Sequence, residues 1–156
     1  FDESLVTYED FDLWLRIAGQ RDHNLYAIGD TLAQYRRHTT QTTGQWHKMH
    51  EGWTRVADRL ARDHPKAWGK VAKSAWAHQY EYVASLAYNA GDIAQMRVFM
   101  KKAWQVGGLE LFKRQNAAIM VGVAVASYLP RPLQIVIGWA FTHMRVLTRK
   151  VLRTGS

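Results

Sequence analysis

At Gly44 the rhythm of this chain changes, and that change restricts its fold more than any other feature of the sequence. Beyond it, apolar residues recur every three to four positions up to the C-terminal end, interrupted at His64-Pro65, Ala90-Gly91, Gly107-Gly108 and Leu129-Pro130-Arg131-Pro132. This period belongs to helices packed through one face. Helices are predicted over residues 45–63, 66–89, 92–106, 109–128 and 133–152. Before Gly44 the pattern is mixed. A helix is expected from Thr7 to about Gly19, burying Phe11, Trp14, Leu15 and Ala18, followed by short alternating stretches at 25–28 and 31–38 that read as a strand pair. The expected fold is mainly α, with a strand pair and helix over residues 1–44 and a bundle of about five helices after it.

Two subdivisions of the helical part are expected. In residues 45–108, the turn at Gly91-Asp92 followed by Lys102-Ala103 resembles a tetratricopeptide hairpin, although Met96 stands where that family usually has alanine. A single unit implies hairpin packing and not a repeat array. Residues 109–156 form a tail with apolar runs at 117–126 and 133–141, both shorter than the roughly 20 residues a membrane span needs. Lys and Arg flank them, and Tyr128 and Trp139 lie near their ends, a pattern of helices lying in a membrane interface or closing a bundle.

Charge is unevenly spread. Residues 1–44 carry seven acids against four arginines, whereas residues 111–156 carry seven bases and no acid. The acidic head suits a metal or a hydroxylic substrate. The tail suits an anionic surface, and residues 45–108 a protein partner. The sequence pI of 9.9 raises nucleic acid as a partner. The absence of a helix-turn-helix, zinc or aromatic-platform motif argues against it. The chain has no cysteine, which excludes disulfides, thiolate metal sites and cysteine nucleophiles. Trp46, Trp53, Trp68, Trp76 and Trp104 are spaced along amphipathic helices and are expected in the core, not on a sugar platform.

The chemistry-bearing residues lie in the head. Thr7-Tyr8-Glu9-Asp10 has the form of a capping box, with Thr7 as cap and acids in the positive first turn. A carboxylate at such a junction is exposed by the loop and fixed by the helix, and carboxylates suit deprotonation of a sugar hydroxyl. The alternative is that Glu9 and Asp10 only cap the helix. His38, after Arg36-Arg37, can ligate a divalent metal while the guanidinium groups hold phosphate. The alternative there is a basic edge strand.

Taken in order, Phe1-Asp2-Glu3-Ser4-Leu5, Glu9-Asp10-Phe11-Asp12-Leu13-Trp14-Leu15-Arg16 and Tyr35-Arg36-Arg37-His38 resemble the closing part of a family 2 glycosyltransferase of the GT-A fold. The resemblance covers residues 1–43. It implies that Asp10 is the catalytic base toward an acceptor hydroxyl, that Glu9 shapes the acceptor site, and that Asp12 and Arg16 are structural. It further implies that Arg36 lies at the donor diphosphate and His38 at a divalent metal, Mg or Mn. Trp14 and Leu15 are assigned to packing. Nucleotide sugar and a glycan or lipid-linked acceptor are the implied substrates, transfer is inverting and of hexosyltransferase type, and the place of work is the cytoplasmic face of the membrane. The family's donor-binding half, with its Asp-x-Asp motif, has no counterpart in this sequence. Asp10-Phe11-Asp12 has the letters but lies in the acceptor motif, with side chains that point in different directions on a helix. The chain is therefore expected to begin mid-motif, as the C-terminal portion of a longer enzyme, and by itself neither to bind a nucleotide sugar nor to turn over.

Overall fold

A computed structural model describes residues 1–20, 26, 28–34, 44–113, 115–130 and 133. Among them the fold is mainly helical: α1 (Glu9–Ala18), α2 (Trp46–Asp63), α3 (Pro65–Asn89), α4 (Ile93–Gly107), a 3-10 helix (Gly108–Lys113) and α5 (Gln115–Ala126). The chain forms two compact units, Phe1–Ala75 and Trp76–Ser156, divided within α3. Residue 44, where the sequence pattern shifts, lies inside the first unit.

In the first unit, α2 is the framework. Met49, Gly52, Trp53, Val56 and Ala57 are its buried residues, spaced three and four apart as an amphipathic helix requires. Pro65 follows at the first position of α3, where its missing N–H removes no helical bond. The N-terminal residues pack on this framework. Leu5 and Thr7 are buried, and Thr7 Oγ1 donates to the Lys48 carbonyl at 3.0 Å. The Tyr8 and Phe11 rings stand 5.8 and 6.0 Å from Trp53, which in turn lies 6.4 Å from Trp68. Such offset and edge contacts each add about 0.5–1.5 kcal/mol beyond area burial.

Three expectations for the head change. The α1 cap is Tyr8, in the left-handed region at φ 65°, and not Thr7, because the Thr7 hydroxyl is engaged on α2. Trp14 is 55% exposed and Ala18 is also exposed. The inward position of α1 is taken by Asp12, while Phe11 and Leu15 are half-buried. Finally, no strand occurs among the described residues. Tyr26 and residues 28–34 are irregular, with Tyr26, Ile28 and Leu32 exposed. A lone strand pair without a third strand or a covering helix is marginal in water. The rest of 25–28 and 31–38, with Arg36 and His38, lies outside the described residues.

The approach of the head to α2 depends on Gly52. A β-carbon there would stand 2.0 Å from Thr7 Oγ1 and 2.9 Å from the Thr7 carbonyl oxygen. Gly52→Ala is expected to destabilise the first unit by about 1–3 kcal/mol through overpacking. The control is Gly69→Ala on α3, where a β-carbon meets nothing within 4 Å and helix propensity predicts a gain of about 0.5–1 kcal/mol. Urea unfolding of the two variants checks both signs.

In the second unit, α3 ends in a Schellman turn. Gly91 adopts φ 80°, its N–H bonds the Tyr88 carbonyl, and the Asp92 N–H bonds that of Ala87. Asp92 then caps α4 by accepting from the Gln95 N–H at 3.0 Å. The α4 residues Met96, Phe99, Met100, Ala103 and Gly107 are buried, and Ala103 joins Ala77 and Leu111 in a core flanked by Tyr80 and Val106. Met96 is fully buried, so the hairpin accommodates a longer side chain than the alanine of tetratricopeptide units. Trp104, expected in the core, is 45% exposed. The predicted helix over 109–128 is a 3-10 turn followed by α5, and that over 133–152 lies outside the described residues apart from Leu133.

Candidate functional site

The acids at the start of α1 are sorted by the helix into two environments. Glu9 and Asp10 occupy its first turn, where the helix dipole favours negative charge. Glu9 is half-buried and Asp10 exposed. Asp10 Oδ1 accepts the Phe11 N–H at 2.6 Å, which ties the exposed carboxylate to the backbone. Among the described residues Asp10 forms no ion pair. Two positions on, the Asp12 side chain is 3% exposed and both of its oxygens are engaged. Oδ1 accepts from Arg59 Nη1 at 2.7 Å and Oδ2 from Arg16 Nε at 3.0 Å.

Arg59 links the two N-terminal acidic motifs. Its other terminal nitrogen, Nη2, donates to Asp2 Oδ2. Asp2 Oδ1 meanwhile accepts from the Ser4 N–H at 2.9 Å and the Ser4 hydroxyl at 2.7 Å. Arg55, one turn earlier on α2, donates to the Ser4 carbonyl at 3.1 Å. Phe1-Asp2-Glu3-Ser4 and Glu9-Asp10-Phe11-Asp12 are thus held by arginines of α2, a helix that begins only at Trp46. One guanidinium fork engaging two carboxylates is the arrangement arginine provides and lysine does not.

The charges shift one another accordingly. The hydrogen bond from Arg59, followed by those from Ser4, holds the Asp2 carboxyl well below the usual carboxylate range. The Asp2 bond in turn raises Arg59. A carboxyl depressed in the folded state stabilises that state above its unfolded pKa, and the contribution is lost as pH falls through and below that value. Melting followed from pH 6 to pH 3 is expected to show a decline beginning near pH 5, as the ordinary carboxylate value of about 3.9 is approached. Asp2→Asn is expected to flatten that decline.

Of the residues singled out from sequence, Glu9 and Asp10 stand together on one turn, and Asp12 and Arg16 pair as structural residues. The opposed directions expected for Asp10 and Asp12 are seen. Arg36 and His38 lie outside the described residues. Among the described residues no three His, Asp or Glu side chains converge on a metal-sized point. Asp10-Phe11-Asp12 does not fit a metal, because arginines occupy both Asp12 oxygens. Arg59 was not anticipated from sequence. It lies three residues after Val56, alongside the buried stripe of α2, and an arginine there requires a buried acid opposite.

No protein family, curated protein or solved structure compared with this chain matches it. Its function therefore rests on its residues and their geometry.

Proposed function

We propose that this chain is the acceptor-side, C-terminal part of an inverting glycosyltransferase of family 2, moving a sugar from a nucleotide-sugar donor to a hydroxyl in cell-surface polysaccharide or glycolipid synthesis. The observation that carries the proposal is the division of labour between Asp10 and Asp12. One carboxylate is exposed, unpaired among the described residues and fixed by its backbone bond. The other, two positions away, is buried and neutralised by two arginines. Capping alone gives no reason to anchor α1 so firmly beneath an exposed acid.

In the proposed reaction, Asp10 accepts the proton of the acceptor hydroxyl while that oxygen attacks the anomeric carbon from the face opposite the leaving group. The bond from that carbon to the diphosphate oxygen breaks, its electron pair leaves with the nucleoside diphosphate, and the configuration inverts. Glu9 flanks the acceptor. The proposal assigns the donor diphosphate to Arg36 and the metal ligand to His38, and it places the work at the cytoplasmic face of the membrane.

The test uses the native polypeptide carrying this sequence, at whatever length its source cell makes it. Intact mass fixes that length. The protein is then incubated with a panel of nucleotide sugars and a glycolipid and polysaccharide extract of the same cells. Release of nucleoside diphosphate and an inverted anomeric linkage by NMR are the expected results. Retention of configuration, or no release with any donor, overturns the proposal. The second outcome would favour the alternative, a non-catalytic helical interaction module.

A further inference from the structure

Exposed apolar residues at the end of α5 and in the turn after it stand beside an arginine of α4. Val125 lies in the last turn of α5 and Tyr128 and Leu129 in the turn that follows, and they are 63%, 72% and 37% exposed. α5 closes in a tighter turn: the Ser127 N–H bonds the Val123 carbonyl, and the Tyr128 and Leu129 N–H groups bond those of Val125 and Ala126 three residues back. Ala126 is buried, and Leu133 is 50% exposed.

The position of this turn is fixed from α4. Arg97 Nε donates to the Ser127 hydroxyl at 2.7 Å, and its Nη2 donates to the Ser127 carbonyl. The guanidinium carbon stands 4.1 Å above the Tyr128 ring. Among the described residues no carboxylate pairs with Arg97. A cation without an acidic partner therefore lies directly beside the exposed aromatic and aliphatic side chains. In sequence the surroundings have the same sign, with seven bases and no acid over residues 111–156.

We infer that Val125, Tyr128, Leu129 and Leu133, with Arg97 beneath them, dock on an anionic phospholipid bilayer. Apolar side chains enter the headgroup boundary while arginine and lysine meet lipid phosphates, and an aromatic ring with a polar tip suits that depth. A partner protein of matching shape would be selected by hydrogen bonds and acids of its own. Residues 111–156 carry one sign of charge in sequence, and an anionic plane matches it. The helix lies on the bilayer and does not cross it. The 12 residues of α5 extend roughly 18 Å at 1.5 Å each, against a hydrocarbon core of about 30 Å, and no described helix is long and apolar enough to span. The inference stands apart from the sugar-transfer proposal.

Co-sedimentation of the 156-residue chain with vesicles tests it, using phosphatidylcholine alone and phosphatidylcholine with three parts in ten phosphatidylglycerol. Binding is expected to be at least ~10-fold tighter to the anionic vesicles and to weaken as salt is raised. The variant Tyr128→Ser/Leu129→Ser/Leu133→Ser is expected to lose about 10-fold of that affinity with an unchanged helical circular dichroism spectrum. Should that variant not fold, site-specific labelling replaces it, since the chain has no cysteine. An environment-sensitive dye at Leu133→Cys is expected to shift to the blue on anionic vesicles, and one at Lys70→Cys is not. Equal binding to both vesicle types overturns the inference. So does full binding by the folded triple variant, which would assign lipid affinity to the charge of the tail alone. Self-association abolished by the triple variant, or a preference for RNA over vesicles, would likewise overturn it.

Discussion

Asp10→Asn is expected to lower sugar transfer by the native polypeptide about 10²–10⁴-fold, the range for loss of a positioned general base, while leaving the fold intact. Asparagine is isosteric and its side-chain oxygen can still accept the Phe11 N–H, so the first turn of α1 keeps its bond. What is lost is a carboxylate able to hold a proton, together with a dipole interaction of about 0.3–1 kcal/mol. Asp12→Asn, two residues along, is expected to behave in the opposite way. It removes the charge facing Arg59 and Arg16 in a side chain that is 3% exposed, so its principal effect is on stability, and turnover falls only as far as α1 loosens. Measuring kcat and urea midpoint for both variants separates the roles. Full turnover by Asp10→Asn would place the base elsewhere.

The second large effect is expected at Arg59. Arg59→Met keeps much of the aliphatic stem and removes the fork that engages Asp12 and Asp2. Deleting one partner of a buried ion pair costs about 3–5 kcal/mol when the remaining charge is left alone. Here Arg16 still serves Asp12, and the loss is expected to be about 2–3 kcal/mol. Arg59→Lys restores one contact but not the fork and is expected to recover less than half. Combining Arg59→Met with Asp12→Asn closes a double-mutant cycle. If the pair is coupled as the geometry requires, the double variant is more stable than the sum of the single losses predicts. Additive losses would mean that Arg59 acts through packing alone.

The helical part was the most legible in the sequence. α2 follows its three-and-four spacing, and the Gly91-Asp92 turn is read directly from a glycine that can adopt positive φ and an aspartate that can cap. The head was harder, for physical reasons. Thr7-Tyr8-Glu9-Asp10 satisfies the local rule for a capping box, but local rules omit a competing partner, and the Thr7 hydroxyl bonds the Lys48 carbonyl instead. Trp14 read as core because tryptophan is large and apolar, yet the buried position went to Asp12 once two arginines could neutralise it. Periodicity counts apolar residues and has no notation for a buried ion pair. The acids of the candidate site were found from the helix-start pattern and the order of the motifs, whereas Arg59 required the third dimension.

The bonds from the N-terminal segment to α2 join residues 41 to 57 positions apart. In polymer terms they close one large ring, and ring closure becomes more costly only with the logarithm of its length, about 0.6 kcal/mol for each doubling. The stretch between α1 and α2 can therefore gain or lose residues with little penalty to the docking of the acidic motifs. In a chain organised in this way, the arginines of α2 keep the acids in register largely independently of the length of that stretch.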